Sequence, residues 1–183
     1  HLIREHMADV DGEAPIGGPG TAVEVDETLI GGVKKGKHMR GSAGKHVVLG
    51  MMERDGDIIA KVVPNQRKHT LQPIIEAHVE KGGQVHTDEL NSYNGLHTKG
   101  YRHMTVNHGA GEYVGYQGAT VNGIEGFWSQ LKRTINGTHI HVSGKHMHKY
   151  VKEAEFRFNR RDCPETMLSE LLSTFGPLPE PRD

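Results

Sequence analysis

The sequence predicts an α/β domain in which a mixed five-stranded sheet is flanked by helices, with an extra helix at its C-terminal end. The first observation is the order of segments: three strand-like segments are followed by a helical one and then by two more strand-like segments. The second is a pair of longer helical patterns closer to the C-terminus. The third is the length of 183 residues, which is enough for one hydrophobic core but short for two.

Five short segments have the composition of β-strands. The second and third are joined by residues 54–57, whose Asp-Gly pair is a common tight-turn signal. Pro64 then ends the opening meander, and a turn-rich segment separates the last two strands. The five predicted strands are residues 23–30, 46–52, 58–63, 84–87 and 101–106.

Three segments repeat apolar residues at helical spacing: residues 70–81, 122–135 and 143–159. The second of them is the most informative because it is amphipathic. Its apolar stripe consists of Ile124, Trp128, Leu131 and Ile135, and its polar face aligns Asn122, Glu125, Ser129 and Lys132.

The two ends of the chain differ from its middle. Residues 1–20 are polar, acidic and rich in glycine and proline, so we expect a flexible lead-in. Residues 21–162 form the predicted domain, and residues 163–183, with their proline-rich end, form a predicted tail. Because the sequence begins with His1 instead of Met, we also expect a fragment of a longer protein.

Basic residues are concentrated in two stretches, although the formal net charge is only −1. Residues 28–52 and 128–152 contain no acidic residue, which suits an anionic polymer as partner and equally suits two solvated surfaces. As contacts to double-stranded DNA we predict Lys34, Lys35, Lys37, Arg40, Lys45, Lys132, Arg133, Lys145 and Lys149.

The composition disfavours several other classes of protein. The longest uncharged apolar run, residues 47–52, is far shorter than the about 20 residues that span a bilayer. We therefore expect a cytoplasmic or nucleoid-associated protein without a membrane partner. Cys163 is the only cysteine, which excludes an internal disulfide and a cysteine-rich zinc site. We expect the 14 histidines at the surface, since their closest pairs diverge on a helix.

Three acidic residues stand where the predicted elements would bring them together. Asp26 lies inside the first strand, Asp88 follows the fourth, and Glu125 lies on the amphipathic helix. This order of elements is that of an RNase H-like fold, in which the first and fourth strands are neighbours. Clustered carboxylates repel one another and a bound cation relieves the repulsion, so we predict a site for two Mg²⁺ or Mn²⁺ ions.

Each candidate ligand also has a purely structural interpretation. Asp26 could be a strand-edge acid, and Asp88 could begin a turn. Asn122 and Glu125 could form a capping box, in which Asn122 caps the helix and Glu125 reaches back to its amide. Side chains alternate along a strand, so a helper directly after Asp26 would point to the opposite face. The candidate helpers are Glu27, Glu89 and His108.

Four segments resemble, in the same order, those of insertion-sequence transposases of the Merlin-related, ISXO-like branch. The segments are Val-Glu-Val-Asp-Glu-Thr-Leu-Ile-Gly-Gly (23–32), Thr-Asp-Glu (87–89), Asn-Gly-Ile-Glu-Gly-Phe-Trp-Ser-Gln-Leu-Lys-Arg (122–133) and Phe-Arg-Phe-Asn-Arg-Arg (156–161). The resemblance implies a DDE-type transposase, which nicks the ends of its element and then joins the exposed 3′ hydroxyl to target DNA.

The resemblance also implies roles for individual residues. Asp26 and Asp88 match the two metal-binding aspartates, and the third ligand is Asn122 or a carboxylate, Glu125. We favour Glu125, which lies two helical turns before Lys132, a residue expected to contact DNA phosphate. A homodimer or higher oligomer on DNA is implied as well. The alternatives are a resolvase-like or RNase H-like nuclease that hydrolyses without joining, and a domesticated DNA-binding or scaffolding module.

Overall fold

The computed structural model describes residues 2–10, 14–31, 45–106, 119–139 and 142–175. In chain order its strands are β1 (Ile16–Gly17), β2 (Ala22–Ile30), β3 (His46–Glu53), β4 (Ile58–Val63), β5 (Val79–Glu80), β6 (Gln84–Thr87) and β7 (Arg102–Thr105). Its α-helices are α1 (Leu2–Val10), α2 (Lys68–His78), α3 (Asn122–Thr134), α4 (Gly144–Asn159) and α5 (Met167–Ser173). Shorter helical turns are Asn91–Tyr93, Leu96–Lys99, Ile135–His139 and Pro164–Thr166.

The main sheet has five strands in the order β4-β3-β2-β6-β7. Strands β2, β3 and β4 form an antiparallel meander, whereas β6 runs parallel to β2 and β7 runs parallel to β6. The first and fourth strands of this sheet along the chain, β2 and β6, are therefore neighbours. This mixed sheet has the RNase H-like arrangement and confirms the predicted fold class.

Buried apolar residues form one cluster on each face of the sheet within the described part of the chain. The cluster on one face contains Val23 and Val25 of β2 and packs against α2 and the turn that contains Tyr93. The cluster on the other face contains Ile30 of β2 and packs against α3 and α4. Because side chains alternate along a strand, even-numbered residues of β2 face α3, which includes Asp26.

Helix α4 covers the outer edge of the sheet. Among the described residues strand β4 lies at the edge of the sheet, so the backbone groups on its outer side face no further strand there. Asn159 accepts a hydrogen bond from the Ile58 amide at 2.9 Å and donates one to the Ile58 carbonyl at 3.0 Å. One turn earlier, buried Glu155 accepts a bond from the Ala60 amide at 2.9 Å and pairs with Lys152 at 2.5 Å. Side chains of α4 thus bind the edge as a sixth strand would.

We expect Asn159→Ala to destabilise the domain by about 1–3 kcal/mol, because it removes the side chain that binds both backbone groups of Ile58. The free energy of unfolding, measured by urea denaturation with circular dichroism, checks this prediction. Lys145→Ala is the matched control, since Lys145 is an exposed residue on the same helix. A loss of stability in Asn159→Ala no larger than in the control would contradict this role of the edge contact.

The predicted flexible lead-in over residues 1–20 is wrong for Leu2–Val10, which forms α1. The reason is tertiary contact with α4. Arg4 binds Glu153 at 2.5 Å, and its guanidinium lies 4.3 Å from the centre of the Tyr150 ring. Composition alone predicts irregular structure here because it contains no information about this distant partner.

Two other predicted boundaries also differ from the structure. The predicted tail over residues 163–183 contains α5, and Glu170 of α5 pairs with Arg160 at 2.5 Å. The helix predicted over residues 70–81 ends at His78, because the following Val79–Glu80 pairs as a strand with β1. The helical spacing of apolar residues contains no information about such a pairing between distant strands.

Candidate active site

Asp26 lies in β2, and Asp88 directly follows the neighbouring strand β6. β2 and β6 are parallel, with Glu24 opposite His86. Continuing this register by two residues places Asp88, which directly follows β6, level with Asp26. The two carboxyl groups are close enough for the charge of Asp88 to raise the pKa of Asp26. The structure therefore brings these two sequence-predicted residues together.

Asp26 is a half-buried residue whose carboxylate charge is poorly solvated. Burial, the neighbouring Glu27 and then Asp88 raise its pKa to about 7, against the opposing effect of a hydrogen bond from Trp128. Trp128 donates this bond from its indole Nε1 to Asp26 Oδ2 at 2.9 Å. In the metal-free protein Asp26 is therefore partly protonated at neutral pH, and a nearby cation would favour its ionised form.

In the presence of a chelator, we expect Asp26→Asn to be more stable than the wild type above about pH 7, and its advantage to shrink as the pH falls toward about 4. The raised pKa means that the wild-type fold binds the proton more tightly than the unfolded chain does. Wild-type stability therefore falls as the pH rises between these two values, whereas Asn does not titrate. Thermal unfolding midpoints of both proteins across this range check the prediction. A difference between them that does not change with pH would contradict it.

Trp128 reaches Asp26 because the strand beside Asp26 has a glycine. Gly50 of β3 is the residue paired with Asp26. A Cβ atom at position 50 would lie 2.6 Å from Trp128 Cζ2 and 2.8 Å from Ile124 Cδ1, so only glycine leaves room for the indole. From the sequence Trp128 is expected to fill the core, and its bond to Asp26 is missed. A glycine inside an apolar strand is the signal that could have indicated this close approach.

The capping box considered for Asn122 and Glu125 does not form. The N-cap of α3 is Val121, so Asn122 already belongs to the first turn of the helix. The N-terminal amides of the helix are bound instead by Glu24 of β2, whose Oε2 accepts a hydrogen bond from the Ile124 amide at 3.0 Å. This cap comes from a distant strand, and local spacing therefore could not reveal it.

Glu125 and Lys132 flank Trp128 along α3, three residues before it and four after it, so the three lie on one side of the helix. Glu125 and Asn122 are exposed and Lys132 is half-buried. Across the described ranges, no three His, Cys, Asp or Glu side chains are grouped closely enough to hold a metal ion. The third ligand, Glu125 or Asn122, accordingly stays a prediction.

Glu27 faces the side of the sheet opposite to Asp26, as strand alternation predicts. Its Oε2 accepts a hydrogen bond from the hydroxyl of buried Tyr93, and its Oε1 accepts one from Gln66 Nε2 at 2.9 Å. Burial and, to a smaller extent, the charge of Asp88 raise the pKa of Glu27, and the bond from Tyr93 opposes them. Glu27 is thus held by neutral donors away from Trp128.

The predicted DNA-contacting residues have different surroundings. The side chain of Lys149 is only 13% exposed, and its ammonium pairs with Glu5 of α1. Lys132 is half-buried, and the exposed residues of the set are Lys45, Arg133 and Lys145. The candidate helper Glu89 is exposed as well. Outside the described residues lie Lys34, Lys35, Lys37, Arg40 and the candidate helper His108.

Comparison with known proteins places these residues in a family. The family model of the ISXO2-like transposase domain matches residues 17–159, which include both aspartates and both third-ligand candidates. The chain belongs to this family. A relative from Haemophilus influenzae, described as an uncharacterized transposase-like protein, is 35% identical over 104 residues. The aligned part is 55% of the ISXO2-like chain and 80% of that relative.

A looser similarity links the ISXO2-like domain to one solved structure, a simian T-cell lymphotropic virus intasome in complex with the PP2A regulatory subunit B56 gamma. The TM-score is 0.48 at 13% sequence identity. The alignment covers 93% of the present chain and 61% of the matched chain, so it spans less than two thirds of that chain. At this level the similarity adds nothing to the fold assigned from the sheet.

None of the helices that the structure describes combines the length and the apolar character that a membrane span requires.

Proposed function

We propose that this ISXO2-like transposase domain is the catalytic core that cleaves DNA at the ends of an element and joins them to target DNA. The observation that supports this most directly is the proximity of Asp26, in β2, to Asp88, which directly follows the neighbouring strand β6. Membership of a transposase family supports DNA as the substrate. In this proposal the two aspartates and Glu125, or Asn122 in its place, hold two Mg²⁺ or Mn²⁺ ions.

The donor atoms of the proposed site suit a hard divalent cation. Asp26 and Asp88 offer carboxylate oxygens, and α3 adds an amide or a carboxylate oxygen, which are the ligands that Mg²⁺ and Mn²⁺ prefer. Burial and then the neighbouring carboxylates raise the pKa of Asp26. This is expected of a cation site before its cation binds, because no positive charge yet stabilises the ionised carboxylate. When bound, the two ions would activate the attacking oxygen and stabilise the leaving oxygen during in-line displacement at phosphorus.

Residues of the chain itself orient the site and bind the DNA backbone in this proposal. Trp128 fixes the orientation of Asp26 through its indole hydrogen bond. Lys132, which follows Glu125 by two helical turns, contacts a phosphate close to the reacting one. The exposed Lys45, Arg133 and Lys145 contact DNA farther away through charge. Because two element ends must be processed together, the active form is a homodimer or a higher oligomer on DNA.

The proposal is tested by incubating the protein with a pre-cut DNA end, a target duplex and Mg²⁺, and separating the products on a denaturing gel. Joined products that disappear on addition of EDTA support the transposase function. Hydrolysis of the target without joining would instead indicate a resolvase-like or RNase H-like nuclease. DNA binding without either reaction would indicate a scaffolding module, and both of these results would refute the proposal.

A further inference from the structure

A glutamate lies on either side of Asp26 in β2, and each one binds a different neighbouring element. Glu24, on the same face as Asp26, is only 3% exposed. Its carboxylate accepts hydrogen bonds from the amides of Ile124, at 3.0 Å, and Gly123. Its Oε1 also lies 3.7 Å from Nη2 of Arg54. The first turn of α3 is therefore tied to the strand that contains Asp26.

The contact between Glu24 and α3 requires a close approach of the helix. A Cβ atom at Gly123 would lie 2.9 Å from Glu24 Oε2 and 3.2 Å from Met52 Sδ, so glycine allows the helix to begin directly above the carboxylate. A negative charge at a helix N-terminus is also favoured by the helix dipole. Together with the bond between Trp128 and Asp26, this contact joins α3 to β2 at two points.

Glu27, on the opposite face of β2, holds the segment that follows Asp88. The hydroxyl of Tyr93 donates to its carboxylate, and Tyr93 is fully buried. Gln66 donates to the other oxygen of Glu27 at 2.9 Å, and the hydroxyl of Ser92 in turn donates to the Gln66 carbonyl. The chain just after Asp88 is therefore bound to β2 through the half-buried carboxylate of Glu27.

We propose that Glu24 and Glu27 are positioning residues for the phosphoryl-transfer site. Glu24 holds α3, and with it the two candidates for the third ligand, at a defined distance from Asp26. Glu27 holds the segment that contains Asp88 in place against β2. The inference rests on the proposed function, because it assigns these contacts a role in metal binding. Such a role has large effects, since a displacement of about 1 Å at a reacting centre can cost about 100-fold in rate.

The test measures the dissociation constant of Mn²⁺ by electron paramagnetic resonance, and the rate of DNA joining, for the full chain and its variants. Glu24→Ala and Glu27→Ala are each expected to weaken Mn²⁺ binding by about 10-fold or more. Glu24→Gln is expected to regain most of the loss, because its amide oxygen can still accept the hydrogen bond from the Ile124 amide. Glu27→Gln is expected to regain only part of it, because its single amide oxygen can replace one of the two oxygens that accept bonds from Tyr93 and Gln66. Val25→Ala is the matched control. Val25 lies between the two glutamates and is fully buried in an apolar cluster, so its variant is expected to keep wild-type affinity.

Two further variants disrupt the same contacts by changing the residues that the glutamates contact. Tyr93→Phe deletes the hydroxyl that binds Glu27, and Gly123→Ala pushes the helix away from Glu24. Both are expected to weaken Mn²⁺ binding in folded protein, as judged by circular dichroism. Adding Glu27→Gln to Tyr93→Phe should cause no further loss, because residues in direct contact act as one unit.

Several results would overturn the positioning roles. One is wild-type Mn²⁺ affinity in the two alanine variants of the glutamates and in Tyr93→Phe and Gly123→Ala. Another is an equal loss in the glutamine and alanine variants, which would make the glutamates direct ligands. In both cases the wild-type protein still binds Mn²⁺ and joins DNA. A wild-type protein that does neither would instead refute the proposed function, and this inference with it.

Discussion

Asp26→Asn and Asp88→Asn are each expected to abolish Mg²⁺-dependent strand joining while the protein stays folded. Each change removes one carboxylate of the pair on β2 and β6, and with it the charge that attracts the cation. A bound metal contributes several kcal/mol to the transition state and about 1.4 kcal/mol corresponds to tenfold in rate, so we expect a loss of at least about 100-fold. Initial rates of joined-product formation at saturating DNA measure the effect.

Two exposed carboxylates provide matched controls for these variants. Asp55→Asn keeps a residue type that tolerates the left-handed φ of 61° at this turn. Asp162→Asn removes a carboxylate whose side chain is 85% exposed. Both control proteins should join DNA at the wild-type rate. If either aspartate variant matched them, that aspartate would not belong to the site.

Trp128→Ala is expected to destabilise the domain by about 3–5 kcal/mol, the usual cost of truncating a buried aromatic residue. The indole is 3% exposed and fills the space above Gly50 between α3 and the sheet, so its removal leaves a cavity. Trp128→Phe fills most of that space but lacks the donor to Asp26. Since that hydrogen bond lowers the pKa of Asp26, its loss leaves Asp26 more protonated. We therefore expect Trp128→Phe to stay folded and to need more Mg²⁺ for half-maximal joining.

Urea denaturation measures the first effect, and the Mg²⁺ dependence of the joining rate measures the second. Ser129→Ala, at an exposed position on the same helix, is the control for both and should behave as the wild type. An alanine variant within about 1 kcal/mol of the wild type would contradict the packing role. A phenylalanine variant with unchanged Mg²⁺ dependence would contradict the role of the indole in orienting Asp26.

The order of elements around the site could be predicted because each element has its own local signal. Strands β4 (Ile58–Val63) and β6 (Gln84–Thr87) have the predicted bounds. An Asp-Gly turn precedes β4 and Pro64 follows it, and Gly82-Gly83 precedes β6. Helix α3 begins at Asn122, as its amphipathic pattern indicates. The neighbouring positions of Asp26 and Asp88 follow from this order through the topology of the fold.

Contacts between residues far apart in the chain could not be predicted in the same way. A spacing rule compares residues three or four positions apart, so it offered Asn122 as a possible cap of α3. The carboxylate that binds the N-terminal amides is that of Glu24. For the same reason the sequence could not predict the two hydrogen bonds between Asn159 and Ile58, although the segment that contains Asn159 carries part of the family resemblance. Charge patterning likewise could not reveal that Lys149 pairs with Glu5 of α1.

The central claim is that Asp26 and Asp88 bind a divalent metal ion together. Anomalous diffraction from a crystal of the wild-type protein grown with Mn²⁺ tests it most directly, because the metal is located independently of activity. We predict an anomalous peak about 2.1 Å from a carboxylate oxygen of each aspartate. A fully occupied Mn²⁺ site elsewhere, with no peak between these two carboxylates, would contradict the claim.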